Sequence, residues 1–142
     1  MKARVIPSQP ETALLYHLDE GRQEGITVRE TLSQYRIAAR NLPEEALGQT
    51  VASFLAEMPP VPAKKEPYAG TVILFSGVEA KKQQEVLRAL REKGAGRGAI
   101  KAVVTPTNRG WTFEKLFAEL NAEHELMTAP KTPEQEDENE TD

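Results

Sequence analysis

An asparagine, an arginine and a tryptophan stand close together in the stretch Thr105-Pro-Thr-Asn-Arg-Gly-Trp111. An indole offers an apolar platform, a guanidinium binds carboxylate or phosphate, and hydroxyl and amide groups fix orientation. Two other short segments carry similar chemistry: Tyr16-His17 with Asp19, and Ser76-Gly77. Each of the three follows an apolar run that reads as a strand. In open α/β sheets, ligands bind beyond the carboxyl ends of the strands. If the strands are all parallel, the three segments meet there. They would bring together Tyr16, His17 and Asp19; Ser76 and Gly77; and Thr105, Thr107, Asn108, Arg109 and Trp111. Two helices would begin beside them, and free N–H groups at a helix start favour an anion. A small phosphate- or carboxylate-bearing ligand would suit this set. His17 would be available as an acid or base near neutral pH. The same residues have plain structural uses: Thr107 or Asn108 as a helix cap, Trp111 as a core anchor, Arg109 as a solvated cation.

The elements that must position these residues follow from the hydrophobic pattern. Residues 12–18, Thr-Ala-Leu-Leu-Tyr-His-Leu, are almost continuously apolar over a short length. That suits a strand buried on both faces. A helix is expected over residues 22–34, with Val28, Leu32 and Tyr35 on one face; Gly25 weakens it. Residues 37–42 read as a second strand. Pro43-Glu44-Glu45 is a good helix start, and Leu47, Val51, Phe54, Leu55 and Met58 form a stripe behind it. Residues 59–68 hold four prolines and read as a stiff connector. In the second half, residues 71–75 read as a strand and 79–93 as a helix with Val86, Leu87 and Leu90 inward. Gly94 reads as that helix's terminator. A strand is expected at 100–105. A helix is expected at 111–127, with Phe113, Phe117, Leu120, half-buried His124 and Met127 on one stripe.

Thr12-Ala-Leu-Leu-Tyr aligns with Thr71-Val-Ile-Leu-Phe, and Leu42-Pro43 with Thr105-Pro106. Phe54-Leu-Ala-Glu57 aligns with Leu116-Phe-Ala-Glu119. The matches keep their order and nearly their spacing, which suggests a duplicated unit. The expected fold class is therefore α/β. Two βαβα halves (12–58 and 71–127, joined by the connector 59–70) form one four-stranded, mainly parallel sheet covered by helices. A ferredoxin-like antiparallel arrangement is the alternative. Residues 1–11 would be an N-terminal extension. Residues 128–142, with six acids and one base, would be a disordered acidic tail.

The stretch from Lys101 to Trp111, followed by Leu116, Glu119-Leu120 and Glu123-His124, resembles a family of small bacterial proteins, the domain of unknown function numbered 3783. The strand 72–77 and the opening Leu14-Leu15-Tyr16-His17-Leu18 resemble it as well. The similarity extends over most of 12–127. It implies a compact bacterial domain and no particular activity.

Composition sets the outer bounds. The 142 residues suit one domain with a real core. There is no cysteine, which excludes disulfides, thiolate catalysis and cysteine-built zinc sites. The net charge of −4 belongs to the tail; without 128–142 the chain holds 17 bases and 16 acids. No apolar run approaches the length of about 20 residues that a membrane helix needs. The opening residues also lack the apolar core of a signal peptide. A cytoplasmic location and no membrane association are expected. No cofactor and no metal site are expected, because neither histidine has a partner at metal-ligand spacing. Gly94-Ala-Gly-Arg-Gly98 follows a helix and precedes a strand, the reverse of a phosphate-binding loop's order. Residues 79–101 hold seven bases against three acids. Without interleaved aromatics, that face gives little reason to expect nucleic acid.

The reading that follows is a non-catalytic binding or regulatory module that contacts a protein partner or a small anion around the 105–111 loop. One alternative is a small enzyme with an anion-binding active site at the strand ends, using His17 with Ser76, Asn108 or Arg109. The other is a structural subunit of a larger assembly.

Overall fold

The structure, a computed structural model, describes residues 11–128. The remaining residues, 1–10 and 129–142, hold most of the expected extension and nearly all of the expected tail, and both expectations fall outside it. The elements run β1 (Thr12–Tyr16), α1 (Gln23–Gln34), β2 (Ala38–Asn41), a 3₁₀ turn (Glu44–Ala46), α2 (Val51–Leu55), β3 (Thr71–Ser76), α3 (Ala80–Glu92), β4 (Ala99–Val103), a second 3₁₀ turn (Asn108–Gly110) and α4 (Phe113–Thr128).

The four strands form one sheet in the order β2-β1-β3-β4. β1 pairs parallel with β2, from Thr12↔Ala38 to Leu15↔Asn41. β3 pairs parallel with β4, from Thr71↔Ala99 to Phe75↔Val103. The two central strands run antiparallel, from Thr12↔Ser76 to Tyr16↔Val72. The sheet is therefore mixed: two of its three pairings are parallel, so the expectation of a mainly parallel sheet is met in part, and the antiparallel central pair departs from it. The connector explains the reversal. The Tyr16 hydroxyl, at the end of β1, donates to the Tyr68 carbonyl at 2.5 Å. Three residues later β3 begins, so it starts where β1 ends and must run back along it.

β1 and β3 are buried on both faces, which is why they read as continuous apolar runs. Side chains alternate across the sheet. Ala13, Leu15, Ile73 and Phe75 face α1 and α3, with Val28, Leu32, Val86 and Leu90. Leu14, Tyr16, Val72 and Leu74 face α2 and α4, with Val51, Phe113, Leu116 and Phe117. The outer strands carry cations, as exposed sheet edges commonly do. Arg40 lies on β2, its guanidinium 4.6 Å from the Phe54 ring centroid, and Lys101 lies on β4.

The helix expected after Pro43 is divided in two. Gly48 N–H donates to the Val61 carbonyl at 2.8 Å rather than to the preceding turn. Thr50 then caps α2, accepting from Ser53 N–H at 3.1 Å. Met58, placed on the inward stripe by its spacing, is exposed because the chain has already left the helix. Gly25 has a packing reason to interrupt α1. A Cβ there would lie 2.9 Å from both the Leu18 oxygen and the Asp19 carbonyl carbon, so the glycine lets the helix sit against the β1–α1 loop.

The starts of α2 and α4 are knitted together reciprocally. Val51 N–H donates to the Trp111 carbonyl at 3.0 Å, and Phe113 N–H donates to the Gln49 carbonyl at 3.1 Å. An isolated antiparallel bridge, Thr50↔Thr112, lies between them.

Candidate functional site

The antiparallel central pair sends the strand ends to opposite edges of the sheet. β1 and β2 end at one edge, β3 and β4 at the other. His17 and Asp19 thus lie at the opposite edge from Ser76 and the 105–111 loop, about five residues or 17 Å of strand away. The expected single crevice is replaced by two.

At the β3–β4 edge, Gly77 turns the chain out of β3 with φ +75°, a left-handed conformation that glycine adopts freely. The loop after β4 is held by its own side chains. Asn108 accepts from Thr105 N–H through Oδ1 at 2.9 Å and donates to the Val103 carbonyl through Nδ2 at 3.0 Å. The Thr105 hydroxyl accepts from Asn108 N–H at 3.0 Å, and Arg109 N–H donates to the Thr105 carbonyl at 3.0 Å. Thr105 and Asn108 thus spend their polar groups on loop geometry. Trp111 is half-buried against the α2–α4 core, with the Lys115 ammonium 4.6 Å from its ring centroid. Its carbonyl serves the bridge to Val51. Exposed Thr107 precedes the 3₁₀ turn and makes no side-chain cap. Ser76, Gly77, Thr105 and Arg109 line a concavity of about 260 Å³, bordered also by Val104 and Pro106. The loop therefore brings Arg109 beside Ser76 and Thr105, while Asn108 and Trp111 hold the frame.

At the β1–β2 edge, His17 takes the corresponding turn with φ +59°. For a side-chain-bearing residue this backbone costs about 1 kcal/mol or more. Three contacts hold it. Its Nε2 lies 2.8 Å from Glu44 Oε2, its ring stacks on Tyr16 with centroids 3.9 Å apart, and its carbonyl accepts from Arg22 at 3.2 Å. Arg29 fastens the edge by donating to the Leu18 carbonyl, the Gly25 carbonyl and Asn41 Oδ1. His17, Asp19, Asn41, Glu44 and Glu45 border a cavity of about 380 Å³. Among these, Glu44, Glu45 and Asn41 were not expected at a site. The signal was present in the alignment of Leu42-Pro43 with Thr105-Pro106, which puts the residues after Pro43 where the residues after Pro106 stand. His124, expected half-buried, is exposed on α4 and borders a recess with Ala99, Ile100 and Lys101. Among the described residues, no group of three or more His, Cys, Asp or Glu is placed to hold a metal ion, and no helix is long and apolar enough to cross a membrane.

Tyr16 carries a measurable consequence. Burial, with smaller contributions from Glu44 and Tyr68, pushes its hydroxyl up to about 12, against 10.0 for an ordinary tyrosine. The folded state therefore keeps this proton over a range where the unfolded chain has lost it. The contribution of this proton to stability is full below pH 10 and is lost as pH rises from 10 toward 12, amounting to about 2–3 kcal/mol at the top of that window. Urea unfolding at pH 9 and pH 11.5 should show the loss, and Tyr16→Phe should reduce the slope.

Residues 71–127, from β3 into the last turn of α4, match the family model described as a domain of unknown function (DUF3783). The match takes in the second half alone and stops short of residues 12–70, where the resemblance had been expected to continue. No curated protein and no solved structure matches the chain.

Proposed function

We propose that the protein is a non-catalytic binding module whose contact surface is the 105–111 loop together with the end of β3, and that it takes a partner or small ligand bearing an anionic group. The observation that carries this reading is the loop's hydrogen bonding. Thr105 and Asn108 lock one another, so Arg109 is presented beside Ser76 on a preformed support. Such preorganisation lowers the ordering cost of binding. The start of α3 lies just beyond Gly77 and adds favourable N–H dipoles. We further read the halves 12–58 and 71–127 as copies of one βαβα unit. The reciprocal bonds between Val51 and Trp111, and between Phe113 and Gln49, support that reading. So does the antiparallel register that pairs Leu14 with Leu74 and Leu15 with Ile73. A bacterial source and a cytoplasmic location belong to the same proposal, the latter resting on the lack of cysteine.

Trp111 is the sole tryptophan and lies at the loop, so its fluorescence reports on both folding and binding. In thermal unfolding against a panel of carboxylates and phosphate esters, a ligand at one hundred times its Kd raises stability by about 2.7 kcal/mol. Arg109→Ala is expected to remove that gain while leaving the ligand-free midpoint within about 1 °C. A carboxylate's gain that survives Arg109→Ala, or no gain with any anionic probe, overturns the reading.

A second reading, an acid–base site at the other edge, has one observation behind it: a strained His17 held 2.8 Å from Glu44. It requires turnover of an ester or phosphate-ester substrate that His17→Gln abolishes, and a variant that retains turnover removes it.

A further inference from the structure

The end of α3, the glycine loop behind it and β4 enclose a cationic recess at neither strand-end site. Its floor is apolar, formed by Leu87, Leu90 and Ala95, and its rim is Arg91, Arg97 and Lys101. The volume is about 130 Å³. The backbone explains the convergence. α3 closes with Ala95 N–H donating to the Leu90 carbonyl at 2.9 Å, and Gly94 and Gly96 take φ of +70° and +72°. This glycine-closed terminus folds the chain back on itself and brings Arg97 to the same recess as Arg91. Lys101 lies on the same face of β4 as Ala99, which is packed under α3, and its ammonium donates to the Gly96 carbonyl.

The neighbouring groups leave the two arginines without an ion pair among the described residues. The Glu24 carboxylate, on α1, is engaged by Gly96 N–H at 2.8 Å. Lys93 is turned away to Thr31 and Gln34. Burial holds Lys101 below the ordinary lysine range; Glu24 opposes the shift and Arg91 adds to it. Three cations thus share a small concavity with an apolar floor.

We propose that this recess binds the phosphoryl group of a small phosphorylated ligand. Two guanidinium forks and an ammonium around one small volume match a tetrahedral dianion, which accepts from several donors at once. A single carboxylate would satisfy one fork and leave the others. The apolar floor reduces competition from water and strengthens each charge-assisted bond. The recess is too small for a nucleoside, so the rest of the ligand lies outside it, along the free edge of β4.

Isothermal titration calorimetry of the full chain with pyrophosphate tests this, with acetate as the monovalent comparison. Saturable binding of pyrophosphate is expected, with acetate weaker by at least about tenfold. Arg91→Ala and Arg97→Ala should each weaken pyrophosphate by about tenfold, equivalent to roughly 1.4 kcal/mol. Both side chains are exposed, so unfolding midpoints should be unchanged, and Arg97→Lys should restore part of the loss. Lys81→Ala is the control: ten residues back along α3, it lies about 15 Å away and should have less than about a twofold effect. No saturable binding overturns the proposal. So does equal weakening by Lys81→Ala, which would mean diffuse attraction to a basic helix. Tighter binding of a single-stranded RNA, with the loss spread evenly over Lys81, Arg91 and Arg97, also overturns it in favour of a polyanion surface.

Discussion

Gly48→Ala is expected to destabilise the fold by about 1–3 kcal/mol, toward the upper end. A Cβ at this position would overlap the Pro62 carbonyl oxygen and stand 2.7 Å from its carbon, with the Val61 oxygen at 3.1 Å. All three are backbone atoms, which cannot yield as a side-chain tip can. Gly48 has no positive φ, so the substitution tests close approach alone. The segment it would displace is fixed along its length. Gln49 Nε2 donates to the Met58 carbonyl at 2.9 Å, and Gly48 N–H donates to the Val61 carbonyl. The Glu114 carboxylate accepts from Lys65 N–H at 2.8 Å, and Tyr16 holds Tyr68. Displacing Pro62 should therefore loosen the whole connector 59–70, which straps the α2–α4 face. Urea unfolding reads the loss of stability, and limited proteolysis should show new cleavage within 59–70. Gly98→Ala is the comparison, because a Cβ there meets nothing within 4 Å, and its effect should stay within about 0.5 kcal/mol. Equal stabilities for the two variants would show that the strap does not depend on close contact at Gly48.

The strap also marks where sequence reasoning stops. Strand existence was legible because β1 and β3 bury both faces, which leaves an unbroken apolar string in each. α3 was legible because Val86 and Leu90 recur at helical spacing and Gly94 ends the run. Strand direction was not legible. It goes with the placement of Tyr68 against the end of β1, a contact that spans 52 residues and leaves no local pattern. The division of the 43–58 helix has the same origin, since the Val61 and Trp111 carbonyls capture Gly48 and Val51 N–H groups. The residue types of the candidate site were identified, but their grouping depended on a parallel sheet. With β1 and β3 antiparallel, His17 pairs with Glu44 and Ser76 groups with Arg109. The two strand-end crevices that result differ in charge: carboxylates border one and an arginine the other.

Phe117→Ala should produce the largest loss of stability, about 3–5 kcal/mol, a large share of what a domain of this size possesses. The Phe117 ring is fully buried, with its centroid 5.1 Å from Tyr16, 5.9 Å from Tyr68 and 6.0 Å from Phe113. It therefore joins α4 to the end of β1 and to the strap, and its removal weakens three elements together. The neighbourhood is poorly able to collapse onto the void. Phe117 already lines a cavity of about 180 Å³ beneath the strap, bordered by Leu47, Pro67, Tyr68 and Ala118. Truncation enlarges that space rather than opening a sealed one, and the surrounding backbone is tied by Glu114 and Tyr68. The enlarged space is lined mainly by apolar side chains, with Lys65, Glu66, Glu114 and Asn121 also bordering it, and can accept a small aromatic molecule. Benzene should raise the unfolding midpoint of Phe117→Ala and leave the wild-type midpoint nearly unchanged. Destabilisation below about 1.5 kcal/mol would mean that α4 repacks against the sheet. Destabilisation of the expected size without rescue by benzene would mean that the strap closes over the space Phe117 leaves.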